Sequence, residues 1–174
     1  MFTQLLTKST AKRAGERLYQ SAAKQGRDVA FYRDMGAPDT VEGRFELLTL
    51  HVILLVDRLK DGPGAAAEVR QSLFDAYVSN LDGALREMGV GDLAVGKRMR
   101  KLGEAFYGRA AAYDAAFNAL PDMVALDDIL TRTVFQASET APSALAAYVV
   151  ACRESLRGAD VGGLIADGPD WSAT

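Results

Sequence analysis

Cysteine and histidine are nearly missing from this chain, which holds one of each, Cys152 and His51. A lone thiol forms no intramolecular disulfide, and one thiol with one imidazole cannot assemble a Cys/His zinc site, so no metal site is expected. Long apolar runs are missing too. The longest, Leu47 to Val56, is interrupted by Thr49 and His51, and it is far shorter than the roughly 20 residues a helix needs to cross a bilayer. Met1 to Arg17 lacks the continuous apolar stretch of a secretion signal, which sets a reducing cytoplasm as the expected compartment. Strand signals are also lacking. No run of β-branched residues alternates with polar ones, and no Asn-Gly or Asp-Gly pair is flanked by strand-like segments. The chain has no internal repeat.

What remains is enough for a core. Of 174 residues, 49% are hydrophobic and 25% charged, the balance of one globular domain, and a chain of this length buries roughly 68 to 70% of its unfolded surface without help from a metal or disulfide. The net charge of −3 is unevenly spread. Residues 1–90 are balanced, with 12 basic and 12 acidic side chains, whereas residues 111–174 hold three basic against nine acidic. Between them lies a basic island, Lys97, Arg98, Arg100, Lys101 and Arg109 against Asp92 and Glu104. A local island in a mildly acidic protein points to a docking surface rather than to a general nucleic-acid binder, and no contact with DNA is expected.

Alanine and leucine recur at spacings of three and four, so the expected fold is all-α, a single-domain bundle of about six to seven helices. The expected organisation is an N-terminal helical arm over 1–27, a helical domain over 28–157 and a flexible, glycine-rich tail over 158–174. The first helix, Gln4 to Lys24, reads as a packing arm, with a weak membrane-surface contact as the alternative. A short helix, Val29 to Met35, follows an Asp28 cap. Val41 to Lys60 opens on Asp39 and Glu42 at capping-box spacing and is apolar nearly all round, which makes it the central helix. Asp61-Gly62-Pro63-Gly64 ends it. Ala66 to Met88 then carries Val69, Leu73, Tyr77, Leu81, Ala84 and Met88 on one stripe. After Gly89-Val90-Gly91-Asp92, where Asp92 is the expected cap, Ala94 to Leu120 gathers Val95, Met99, Leu102, Phe106, Tyr113, Phe117 and Leu120 into one arc. Two more helices, Met123 to Gln136 and Pro142 to Arg157, close the bundle.

Few residues carry chemistry. Gly91 to Arg98 nearly spells a phosphate-binding loop, but Arg98 stands where a hydroxyl must bind magnesium, and a helix rather than a strand precedes it. The glycines read instead as a sharp turn. His51 is the single group titrating near neutral pH, yet no orienting partner can be named for it, and it reads as a packed helix residue. Cys152 sits in the apolar stretch Tyr148 to Cys152, where thiols are inert. Asp127 and Asp128 are neighbours that point about 100° apart on a helix and read as solvated charges. An enzyme is not expected, and no cofactor is called for. The basic island is either the solvated face of an amphipathic helix or a contact for ribosomal RNA, anionic lipid or an acidic protein, with Tyr107 near Arg100 on one flank.

Three segments go further: Pro38-Asp39-Thr40-Val41-Glu42-Gly43-Arg44-Phe45-Glu46-Leu47-Leu48 with Leu50-His51, then Arg86 to Met99, then Glu104-Ala105-Phe106-Tyr107-Gly108-Arg109. In this order they resemble the ubiquinol-cytochrome c chaperone family over roughly Phe31 to Leu120. The resemblance implies an all-helical, non-enzymatic assembly factor for ubiquinol-cytochrome c reductase, respiratory complex III. In mitochondrial relatives it implies a small helper protein, a place near the ribosomal exit tunnel and newly made cytochrome b as client. With no long leader before the family region, a bacterial member is expected, cytoplasmic or peripheral at the inner membrane, with a transient contact to that surface. The expected partner-binding surface combines Lys97, Arg98, Arg100, Lys101 and Arg109 with Tyr107 and Arg44. Two other readings compete: a membrane-peripheral amphipathic module binding anionic lipid, and a small helical enzyme using His51.

Overall fold

Leu47, Leu50, Val52, Ile53, Leu54, Leu55 and Leu59 are buried on all sides of the helix that carries them, and the rest of the chain is arranged around it. The computed structural model describes residues 2–138 and 140–172, with the backbone alone over 2–8. Its helices are α1 (Phe2–Gln25), α2 (Val29–Arg33), α3 (Val41–Leu59), α4 (Ala66–Glu87), α5 (Asp92–Ala119), α6 (Val124–Arg132), α7 (Ser143–Gly158) and α8 (Val161–Asp167). The expected all-α bundle is what forms, with α8 a short segment of seven residues at its end. None of the described helices is long and apolar enough to cross a membrane.

Local chemistry sets the boundaries. Asp28 caps α2 by accepting from the Ala30 N–H at 2.9 Å. At α3 the cap is Thr40, not Asp39: the Thr40 hydroxyl accepts from the Gly43 N–H at 3.0 Å, which leaves Asp39 free to take Arg44 at 2.6 Å. Asp92 is likewise not the cap of α5. Gly91 holds that position, and Asp92 lies in the first turn, where its charge suits the helix dipole and pairs with Arg86. The turn between α4 and α5 needs a left-handed residue, and Gly89 supplies it at φ +80. Helix α6 ends at Arg132, four residues before the expected Gln136. A continued helix would turn Val134 and Phe135 about 100° apart, whereas the turn through Gln136 and Ala137, at φ 52 and 57, buries both completely.

The arm α1 lies along α4 and α3. Its approach to α4 is backbone to backbone, since a Cβ on Gly15 would stand 2.5 Å from the Leu73 nitrogen. Helix α7 covers α3 and α6, and α5 spans α3, α4 and α6. The glycine-rich end is tied to this frame at several points. Asp160 caps α8 through the Gly163 N–H at 2.8 Å, and Val161 and Leu164 are buried. Arg17 donates to the Ile165 carbonyl at 2.9 Å, Arg58 to those of Leu156 and Ala159 at 2.6 Å each, and Trp171 Nε1 to the Ser21 hydroxyl at 2.9 Å.

Candidate functional site

The basic island is carried by the hairpin of α4 and α5, and the bundle covers that hairpin at one end only. Near the base, Val69, Leu73, Tyr77, Phe106, Tyr113 and Phe117 are buried in the core. Farther out the two stripes are only partly covered: Val95 is buried, but Leu81, Leu85, Met99 and Leu102 are half-buried, and Met88 is 68% exposed. Helix propensity and the short turn build the hairpin, and Met88, Gly89, Gly91 and Asp92 at its tip are exposed. Leu93, the first apolar residue after the turn, is fully exposed, and Tyr107 is 64% exposed beside Phe74, with ring centroids 5.5 Å apart.

At 100° per residue, Leu93, Lys97, Arg100, Lys101, Glu104 and Tyr107 share the outer stripe of α5, with Arg98 on its flank. Lys97, Arg98, Arg100 and Lys101 are all exposed, and none makes an ion pair among the described residues. Four unpaired cations on two turns repel one another, so a complementary anionic surface would be drawn to them.

The other two cations of the expected surface are committed elsewhere. Arg109 donates from Nε to Glu46 Oε2 at 2.6 Å and from Nη2 to Oε1, a two-pronged pair that joins α5 to α3 with Glu46 buried. Its guanidinium also lies over the Phe45 ring. Arg44 stands on the surface, bound to Asp39 and 5.8 Å above the Tyr32 ring. The hydrogen bond from Arg44 holds the Asp39 carboxyl below its usual range. The structure thus sets Lys97, Arg98, Arg100, Lys101 and Tyr107 on one exposed side of α5, and holds Arg109 against α3 and Arg44 on the surface of α3 in ion pairs.

His51 is fully buried, and its two nitrogens are both used. Nδ1 donates to the Leu47 carbonyl at 2.7 Å, which leaves Nε2 to accept from the Tyr148 hydroxyl at 2.7 Å. Gln25 in turn donates to the Tyr148 oxygen at 3.2 Å. Phe31 and Trp171 pack edge-on against the imidazole, at 5.3 and 5.1 Å between centroids. Burial outweighs the Leu47 hydrogen bond and pulls the His51 pKa down to about 4. A neutral imidazole sealed on every side is a packing group, as the sequence suggested. Cys152 is equally enclosed, and burial pushes its thiol pKa up. No group of His, Cys, Asp and Glu able to hold a metal occurs among the described residues.

Two features escaped the sequence reading. Asp57 takes Arg153 at 2.9 Å and Lys60 at 2.8 Å, and Lys60 reaches on to Asp114 at 2.6 Å, a chain that ties α3, α5 and α7 together. An acid at the end of an apolar helix was the signal, and Glu46 inside the same helix was another. The second feature is Leu93, whose place off the apolar arc of α5 already put it on the outer stripe.

Comparison with known proteins places this geometry. Residues 33–171 match the family described as ubiquinol-cytochrome C chaperone. The crystal structure of the Cbp3 homolog from Brucella abortus superposes with a TM-score of 0.82 at 40% identity, covering 97% of this chain and 94% of that one. No curated protein matches the chain.

Proposed function

The chain belongs to the ubiquinol-cytochrome c chaperone family, and from that membership we propose that it is a non-enzymatic assembly chaperone of ubiquinol-cytochrome c reductase that holds newly made cytochrome b. The observation that carries the reading is the family match over residues 33–171, which takes in α3 to α8 but not α1. The geometry is compatible with it. A client whose membrane helices exist before their partners exposes apolar surface, and a helical bundle shields such surface by offering apolar side chains between helices. The half-buried stripe of Leu81, Leu85, Met99 and Leu102 is one place on this bundle where core-type residues reach solvent.

Lys97, Arg98, Arg100 and Lys101, with Tyr107, form the proposed partner surface, with Arg44 at its edge. Arg109 serves it by fixing α5 to α3 through Glu46. Neither His51 nor Cys152 is offered to a substrate, which supports the non-enzymatic reading. A small helper protein and the ribosome belong to the same proposal as further partners, and the inner-membrane surface as its setting. The test is crosslinked affinity purification of the tagged chain from its own cells, followed by mass spectrometry. Cytochrome b enriched over an untagged control supports the reading. A sample enriched in other proteins and lacking cytochrome b refutes it.

A further inference from the structure

The tip of the α4–α5 hairpin combines two kinds of side chain that a solvated turn has no use for. Met88 and Leu93 flank the turn and are left to water, at 68% and 101% exposed. Behind them, on the next two turns of α5, stand Lys97, Arg98, Arg100 and Lys101 without an acidic partner. The acids nearest in sequence do not cancel this field. Asp92 and Asp82, the latter at 2.6 Å, share Arg86, and Glu104 lies one turn beyond Arg100, so the acids reduce the field but the four cations still outnumber them on the outer face of α5. Nothing packs over Gly91 or Gly96 either, and a Cβ on either residue would meet open space.

We propose that this tip docks on an anionic lipid bilayer, with Leu93 and Met88 entering the headgroup region and Lys97, Arg98, Arg100 and Lys101 meeting lipid phosphates. Apolar side chains at the leading edge with long cationic side chains one to two turns behind is the arrangement an interface demands, because lysine and arginine stems can lie along the apolar layer while their charged ends stay at phosphate depth. A single-stranded RNA contact would want an aromatic platform among the cations. Tyr107 is the one ring on the outer stripe, six residues and so about 9 Å along the helix beyond Lys101, on the side away from the tip, and its ring packs beside Phe74 and Phe106 rather than between the cations. An acidic protein surface would use the cations but leave Leu93 and Met88 unexplained.

The inference rests on the surface assigned above to partner contact, not on the identity of the client. It gives that surface a role of its own, which is to hold the bundle at the membrane with the half-buried stripe beside it. Each cation near an anionic surface tightens binding by about five-fold, so the four together dominate the attraction and make it sensitive to salt.

The test uses the purified full chain and two sets of vesicles, phosphatidylcholine alone and phosphatidylcholine mixed with phosphatidylglycerol, read by co-sedimentation. The expected result is binding to the mixed vesicles alone, lost at high salt and weakened by at least about a hundred-fold in the Lys97→Glu/Arg98→Glu/Lys101→Glu variant. Leu93→Ser should weaken it by a smaller factor at each salt concentration where binding is seen. Depth is read from a Leu93→Cys variant carrying an environment-sensitive fluorophore, which labels selectively because Cys152 is buried. A blue shift on mixed vesicles supports insertion.

Four results overturn the proposal: no binding to mixed vesicles, binding that survives the triple reversal, binding with no change at the position-93 label, or cation-dependent binding of a polyuridine probe in place of vesicles. The outcomes separate from those of the chaperone reading. Cytochrome b recovered by a chain that ignores vesicles overturns the membrane contact alone, and vesicle binding without that client overturns the chaperone reading alone.

Discussion

His51 and Tyr148, 97 residues apart, share a 2.7 Å hydrogen bond in the centre of the bundle, with the tyrosine hydroxyl donating to the imidazole. The bond joins α3 to α7, and Gln25 extends it to α1. Trp171 closes the cluster from the C-terminal end.

Tyr148→Phe removes the donor and leaves a buried nitrogen unpaired, at a cost of about 1 to 3 kcal/mol. For a chain of this size each kcal/mol lowers Tm by about 2 to 4 °C. Thermal unfolding followed by circular dichroism should therefore move down by several degrees. An unchanged Tm would mean that the hydrogen bond contributes nothing net.

Stability should fall with acid in a window set by His51. The unfolded imidazole takes up a proton below 6.5, while the buried one resists until about 4. The neutral imidazole thus favours the folded state fully above pH 6.5, and the contribution is lost as pH falls from 6.5 to about 4. The loss amounts to about 3 kcal/mol at about 1.4 kcal/mol per pKa unit. Denaturant titrations across this range, compared with His51→Gln, isolate the effect from the carboxylates. Parallel pH profiles for the two proteins would contradict it.

Arg109 and Glu46 should behave as a structural pair. Arg109→Met strands the Glu46 carboxylate in the core at a cost of about 3 to 5 kcal/mol, whereas Glu46→Leu combined with Arg109→Met removes both charges and recovers most of it. Urea unfolding of the two single variants and the double variant gives the coupling. If the double variant falls as far as the sum of the singles, the pair is not a unit.

Reversal of Lys97, Arg98 and Lys101 to Glu should leave the helical circular dichroism spectrum and Tm in place, because these side chains touch no part of the core. Capture of the client in cells should drop by about ten-fold or more as the sign of the field inverts. Full capture by a folded triple variant would remove these residues from the partner surface.

Cys152 should stay unreactive toward a thiol reagent until the protein is unfolded, since its sulfur is enclosed and its pKa is raised by burial. Fast labelling of the native chain would show that α7 opens readily.

How much of this was legible in the sequence varies by element. The apolar circumference of residues 47–56 identified the central helix, because a helix without a polar face has to be surrounded. Asp28 and the glycines at 89 and 91 marked their turns for local reasons that act within a few residues. Asp39 and Asp92 misled as caps, since each had a second choice, a guanidinium, that spacing alone does not rank against a backbone N–H. The end of α6 was misjudged because Val134 and Phe135 leave the helix for burial, a tertiary demand.

The candidate site divides in the same way. Periodicity put Lys97, Arg98, Arg100 and Lys101 off the apolar arc of α5, and the residues from Pro38 to Arg109 carried the family. Both are properties of short segments, where the 3.6-residue period and local order suffice. The tertiary structure decided that the tip of the hairpin stays exposed, that Arg109 belongs to Glu46 and Arg44 to Asp39, and that Trp171 packs against His51. Those outcomes depend on which distant faces meet, and burial and charge pairing between residues dozens of positions apart leave no trace in the spacing of either partner.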